Sequence, residues 1–223
     1  MRSVYLALLF VMTFLVAQSP AITLKEAYEA APAANGYDRY VELENGVTYT
    51  GGLLVGRVFS PVSNRFIMEE EGADVRIVGN GAVLDLQGEQ ICLSYCDNRM
   101  DISDCIIING NIRFRGDNDP GLSIRPTGSV KFVTFYQAHD YGVRLQGAGQ
   151  GITVERNLII DTQDTGLDYI PTNGVAGDLI PTGTAIAASV QTGDYGLPDV
   201  RDNWTYYGDP DLNPIPLHHY SFL

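Results

Sequence analysis

Four segments of this chain place apolar and polar residues in step: Val75-Arg76-Ile77-Val78-Gly79-Asn80, Met100-Asp101-Ile102-Ser103-Asp104-Cys105, Val130-Lys131-Phe132-Val133-Thr134-Phe135 and Ile152-Thr153-Val154-Glu155-Arg156-Asn157. First and third positions are apolar and second positions polar, the period-2 alternation of a strand with one buried face. Each segment leads into a second short apolar run (83–86, 106–108, 136–138, 158–160) and then a third (91–93, 111–114, 142–145, 166–169). Three short strands per unit, with no helical stretch between them, predict the coils of a parallel β-helix. A β-sandwich is the competing all-β answer, and Asn80-Gly81 and Asn109-Gly110 would suit its hairpin turns. The column register across four units favours stacking, with Ile77, Ile102, Phe132 and Val154 in one interior column. Asn80 and Asn157 fall at the same place in their units. A sharp bend there needs left-handed backbone, which Asn tolerates best after Gly, and stacked Asn side chains can also hydrogen-bond between coils.

Both ends break the pattern. In residues 23–34, Leu24, Ala27, Tyr28 and Ala31 share one helical face, and Thr23 with Glu26 three residues on reads as a capping box. A short helix there would cover the open end of the first coil, which otherwise exposes a hydrophobic cross-section. Before it, Met1-Arg2 precedes an apolar run over 4–16 and a small-residue exit. That run is too short to span a bilayer and reads as a secretory signal peptide, directing the chain to the periplasm, the cell exterior or a cell surface. The expected organisation is a signal peptide over 1–21, a β-helix with its N-terminal cap over 22–170, and an irregular Pro/Gly-rich segment over 171–223 with one further strand at 184–190. No C-terminal cap is legible, as expected of a portion of a longer protein. The fold class is all-β: a single-stranded right-handed parallel β-helix with a short N-terminal capping helix.

The opening helix, the Val41-Glu42-Leu43 and Gly46-Val47-Thr48-Tyr49-Thr50-Gly51-Gly52-Leu53 stretches, and residues 75–88 together resemble the start of right-handed parallel β-helix proteins of the pectate-lyase-like superfamily. Residues 152–160 are similar to a typical repeat of that group. The resemblance spans about residues 23–170 and is specific for fold, not for activity. It implies a groove along one sheet, Asp or Glu ligands for Ca²⁺, and an Arg or Lys base. The outward positions of the third run supply Arg113, Arg115, Arg144 and Asp168 for such a groove. Ca²⁺ would neutralise a uronate carboxylate and acidify its α-proton; the plainer reading of these residues is a solvated strand face. Residues 103–109, 121–124 and 142–146 are also similar to three blocks of polygalacturonase-type hydrolases. Here, however, Ser103 stands for one of a pair of Asp, Asp119-Pro120-Gly121 for Gly-His-Gly, and Gln146 for Lys. Inverting hydrolysis needs two carboxyl groups across the bond, and Asp101, Asp104, Asp117 and Asp119 are the available acids. Asp104, Asp119 and Arg144 are the candidate catalytic residues under this resemblance.

Composition narrows the choice of partner. Of 223 residues, 14 are Lys or Arg and 27 Asp or Glu, a net charge of −13 that disfavours nucleic acid and attracts divalent cations. Asp117 and Asp119 in the loop 116–121 are the candidate Ca²⁺ ligands, with other oxygens needed to complete six to eight. Asp209, Asp211 and Asn213 resemble the start of a Ca²⁺ loop but lack its Gly and Glu; an Asx turn is the simpler reading. Adjacent strand residues point to opposite sides, so His139-Asp140 is a poor acid–base pair. Cys92, Cys96 and Cys105 allow one Cys92–Cys96 bridge, with Cys105 as a small buried hydrophobe. Tyr136, Tyr141, Tyr169, Tyr195, Trp204, Tyr206 and Tyr207 can stack on sugar rings or pack in the core. Asn203-Trp204-Thr205 is a glycosylation sequon, meaningful in a eukaryotic secretory route. The expectation is a secreted, monomeric, non-catalytic module with no integral membrane segment, binding or structural, with polysaccharide as the favoured ligand. The alternative is a polysaccharide lyase or glycoside hydrolase acting on acidic polysaccharide.

Overall fold

The computed structural model describes residues 22–60, 65–68, 72–116, 124–138, 141–146, 151–160, 165–170, 177–178, 199–201, 204–206 and 215–216. The expected signal peptide, the strand at 184–190 and the sequon residue Asn203 lie outside them. After β1 (Ile22–Thr23) and α1 (Leu24–Ala30), the first coil is β2 (Arg39–Glu42), β3 (Thr48–Thr50) and β4 (Leu53–Ser60), which turns back into β5 (Arg65–Met68). The second coil is β6 (Val75–Val78), β7 (Val83–Asp85) and β8 (Gln90–Ser94), and the third β9 (Arg99–Ser103), β10 (Ile106–Ile108) and β11 (Asn111–Arg115). The fourth is β12 (Thr127–Lys131), β13 (Thr134–Tyr136) and β14 (Tyr141–Gln146), and the fifth β15 (Ile152–Glu155), β16 (Leu158–Ile160) and β17 (Thr165–Ile170). The short strands β18 (Gly177–Asp178), β19 (Asp199–Arg201), β20 (Trp204–Tyr206) and β21 (Ile215–Pro216) follow.

Corresponding strands of successive coils stack into three sheets. The first sheet is β2, β6, β9, β12, β15 and β19; the second runs from β1 and β3 through β7, β10, β13 and β16 to β20 and β21; the third holds β5, β4, β8, β11, β14, β17 and β18. Among the described strands, only β4–β5, β17–β18 and β20–β21 pair antiparallel. The described chain is thus all-β, with the corresponding strands of successive coils stacked in three largely parallel sheets as in a parallel β-helix. Among the described residues, no helix is long and apolar enough to cross a membrane.

Two sequence expectations about the coils are corrected. The interior column of the first sheet is Val41, Ile77, Ile102, Val130 and Val154, not one containing Phe132. Phe132 sits at the following corner, 49% exposed, with φ 56°. The fourth unit therefore starts at Gly128, opposite Met100 and Ile152, and its second strand is Thr134–Tyr136 instead of 136–138. A two-residue slip keeps the same face inward, so alternation alone cannot separate the two registers. What separates them is the next side of the coil, where this register buries Val133 and Phe135.

Asn80 and Asn157 are not equivalent either. Left-handed backbone at the corner belongs to Asn80, Asp104, Phe132 and Arg156 (φ 50–59°), and Asn157 is the next residue, buried inside beside the level of Val133. The expectation of hydrogen bonds between coils is met by both. Asn80 donates to the Leu43 carbonyl at 3.0 Å. Asn157 accepts from the Val133 N–H at 2.9 Å and donates to the Val130 carbonyl at 3.0 Å.

The N-terminal cap forms as its sequence implies. Thr23 Oγ1 accepts from the Glu26 N–H at 3.1 Å, and the Glu26 carboxylate accepts from the Thr23 N–H at 2.9 Å. Leu24 and Tyr28 are buried against the first coil. The helix stops at Ala30 because Pro32 forces Ala31 into extended backbone (ψ 132°). Arg39 of β2 donates to the Glu29 and Ala31 carbonyls at 3.3 and 3.0 Å, tying the frayed end to the first sheet.

Candidate functional site

Alternation on the third sheet sorts its residues without ambiguity. Ile91 and Leu93, Ile112 and Phe114, and Val143 and Leu145 are buried inside. The residues between them point outward and stack in two columns. One runs Leu54, Cys92, Arg113, Arg144 by register, and Asp168 is the register partner of Arg144. The other runs Gly56, Ser94, Arg115, Gln146. Three of the chain's 14 positive side chains thus occupy neighbouring positions on two adjacent strands of an acidic molecule.

Each arginine is half-buried. Arg113 Nη2 donates diagonally across the strand pair to Gln146 Oε1. A lysine, which the polygalacturonase resemblance expects at this position, has no acceptor to offer. Arg115 Nη2 donates to the Tyr95 hydroxyl at 3.2 Å, and its guanidinium lies 4.9 Å from the centre of that ring. The Nε atoms of Arg113 and Arg115 are buried and have no hydrogen-bond partner. Burial, then the positive charges of Arg115 and Arg144, hold the Arg113 pKa below the usual arginine value. An anion at this face would relieve the repulsion on Arg113 and meet the idle Nε–H donors of Arg113 and Arg115.

The other sequence candidates are dispersed. Asp104 is exposed at the corner between the first and second sheets, with φ 59°, and its carbonyl accepts from the Gly81 N–H at 2.7 Å. That corner joins the two sheets that do not carry Arg144, so the fold does not bring Asp104 and Arg144 onto one face. Asp117 and Asp119, proposed as Ca²⁺ ligands and in the case of Asp119 as an acid, lie outside the described residues, as do His139-Asp140, Asp209, Asp211 and Asn213. Among the described residues no group of three His, Cys, Asp or Glu is placed to hold a metal ion. All three cysteines are buried free thiols, so the Cys92–Cys96 bridge that the spacing allows is not formed, while Cys105 is buried inside as a small hydrophobe. A short bridge would have to be closed by Cys92, which is fixed by the strand alternation on the outer face beneath the arginines.

Sequence reasoning missed one polar centre. Asp101, on the outer face of the first sheet, is only 3% exposed. It accepts from the Tyr37 hydroxyl at 2.8 Å and from Ser129, and pairs with Arg99. Arg99 also lies 5.2 Å from the Tyr37 ring centre. With its oxygens occupied in this way, Asp101 is a clamp between the cap segment and two coils, not an acid awaiting substrate. Its outward strand position was legible, but its partner Tyr37 is 64 residues away in sequence.

Comparison with known proteins returns no match to a family model, a curated protein or a solved structure. The function must therefore be argued from the site.

Proposed function

We propose that this chain is a secreted or cell-surface β-helix module of the pectate-lyase-like type that binds carbohydrate bearing negative groups through the outer face of its third sheet, without catalysis of its own. The observation that carries the reading is the grouping of Arg113, Arg115 and Arg144 on one face of a chain of net charge −13. Membership of the superfamily is supported by the resemblance over residues 23–170, and secretion by the apolar leader. Absence of catalysis is supported by the sequence of the hydrolase-like blocks. Hydrolysis calls for two carboxyl groups flanking the bond, and those blocks are broken by Ser103, Asp119-Pro120-Gly121 and Gln146.

A second reading, a lyase or hydrolase on acidic polysaccharide, draws on two observations. Asp168 is the register partner of Arg144 and Asp178 that of Asp168, and the Arg113 pKa is displaced in the direction an arginine base requires. The two readings separate on a carbohydrate array followed by product analysis. Binding to anionic glycans with no new reducing ends and no unsaturated uronates is the expected result; release of either product overturns the non-catalytic reading, and no binding overturns both.

A further inference from the structure

The outer face of the second sheet is apolar where the outer faces of the other two are charged. Its strands point Leu84, Ile107, Phe135 and Ile159 inward, and the residues between them stay exposed or half-buried. Two outward columns result by register: Val83, Ile106, Thr134 and Leu158, and beside it Asp85, Ile108, Tyr136 and Ile160. The pairing of β16 with β20 continues them to the backbone positions of Trp204 and Tyr206. Ile106 is 38% exposed and Tyr136 42%. Among the described outward residues Asp85 is the one charged side chain. It lies toward the N-terminal end and is engaged by the Gln87 N–H at 3.1 Å and the Asn109 amide at 3.0 Å. At the corner that opens this sheet in the fourth coil, Phe132 is 49% exposed at φ 56°. Left-handed backbone suits Asn80 and Asp104 at the same corner of the two preceding coils and is strained for a bulky residue. Burial does not offset that strain, and strain held in this way marks a position kept for a contact.

We propose that this face is where two copies of the chain meet in a reversible homodimer, the second sheet of one copy laid against that of the other. This departs from the monomer expected from sequence and is independent of the reading of the third sheet. Charge points to the occupant. Two copies of net charge −13 repel each other, and their approach costs least where charge is missing. The first sheet presents Arg76, Lys131 and Glu155 outward and the third Arg113, Arg115 and Arg144, and a face-to-face contact there would desolvate them. Area sets the strength. Six strands about 4.8 Å apart and two columns about 6.6 Å apart, with the corner ring and side-chain reach added, give on the order of 500 Å² per copy. Both copies together bury about 1,000 Å², the low end of specific interfaces, so the dimer is weak and concentration-dependent. One face used alike by both copies closes at two subunits about a two-fold axis, and the Phe132 and Tyr136 rings are its anchors.

The test is sedimentation velocity of the full chain from about 1 µM to about 1 mM, a span that covers weak association. The expected result is a mass that rises from one copy toward two. The rise is steeper at about 0.5 M salt, which screens the repulsion and leaves apolar contact intact. Ile106→Lys is expected to weaken association about tenfold or more. It also lowers the net negative charge by one, so a nonspecific charge effect would act in the opposite direction. Thr153→Lys makes the same charge change on the outer face of the first sheet and is expected to stay within about twofold of wild type. Phe132→Asn puts a residue suited to left-handed backbone at the corner. It is expected to weaken association about threefold or more, with a melting temperature in dilute solution no lower than that of wild type. If Ile106→Lys fails to fold, Phe132→Asn and the salt response of wild type still decide. A single-copy mass over the whole range overturns the proposal, as does association that weakens with salt or survives both substitutions. Mass rising beyond two copies overturns the closed pair. Unchanged association in Phe132→Asn with a lower melting temperature makes the ring structural and overturns the interface as drawn.

Discussion

The register of the fourth coil gives the sharpest test of the fold, because two apolar residues two positions apart compete for one interior place. Val130 is fully buried between Ile102 and Val154, whereas Phe132 is half-exposed at a corner in left-handed backbone. Val130→Asp removes a buried side chain worth about 1.5 kcal/mol or more of transfer free energy. It also places a carboxyl group, protonated or not, where no partner awaits it, which costs roughly 2–7 kcal/mol. The combined loss is about 4 kcal/mol or more. At roughly 2–4 °C per kcal/mol for a chain of this size, the melting temperature falls by about 8–16 °C. Phe132→Asp loses only partial burial and a stacking contact with Arg156, whose guanidinium lies 5.6 Å from the ring. Asp tolerates left-handed backbone better than Phe and leaves an opposite charge near Arg156. Its cost stays within about 1 kcal/mol, a shift of roughly 4 °C or less. Far-UV circular dichroism during thermal unfolding reads both. If Phe132→Asp is the more damaging change, the fourth coil is out of register by two residues and the interior column is wrong.

Three further outcomes follow from single residues. Asn157→Ala strips the Val133 N–H and the Val130 carbonyl of their partner inside the coil, and urea unfolding is expected to show a loss of about 2 kcal/mol. A cost below a few tenths would mean those backbone groups find other partners. Gly128→Ala puts a methyl group against the Met100 backbone at φ 140°, strained for any L side chain, so a loss of roughly 1–3 kcal/mol is expected despite higher intrinsic propensity. A neutral or stabilising change would contradict the close approach. Burial pushes the Cys92 thiol up to about 11 and Cys105 up to about 12. Both folded values exceed the unfolded one, so their contribution to stability is complete below about pH 8.5 and is lost as pH rises toward the folded values. Denaturant midpoints should therefore fall between pH 8.5 and 11, and less steeply in Cys105→Ala; equal slopes would refute the assignment.

How far the sequence could be read depended on how local each signal was. The capping box of Thr23 and Glu26 needs only residues three apart, and the outward arginines need only strict alternation around Ile112, Phe114, Val143 and Leu145. Both were legible for that reason. Phe132 was misplaced because sliding a strand by two residues preserves its inward face; only the joint burial of Val133 and Phe135 on the next side fixes the register. Asn157 was read as a bend residue because the second coil carries Gly79 and Asn80 ahead of Gly81, whereas Arg156 by itself makes the corner of the fifth. The network of Asp101 with Tyr37 and Ser129 was invisible, since nothing in the run Met100-Asp101-Ile102 shows which distant donors the coil stacking delivers. At the candidate site, the arginines were found from the chain but their supports were not. Gln146 reads as a missing lysine in sequence and becomes the acceptor for Arg113 in the fold.

The central claim is that the outer face of the third sheet, and not net charge, recognises an anionic glycan. Arg144→Gln and Lys25→Gln each remove one positive charge, the first at that face and the second on α1, where Lys25 is exposed and lies 3.8 Å from Glu29. Affinity for the tightest glycan of the array, measured for both variants and wild type in one buffer, separates place from charge. Loss of a charge-assisted hydrogen bond, about 1.5–3 kcal/mol, corresponds to roughly a ten- to hundredfold weakening. The account predicts that loss for Arg144→Gln, with Lys25→Gln within about twofold of wild type. Equal affinities in the two variants would contradict it.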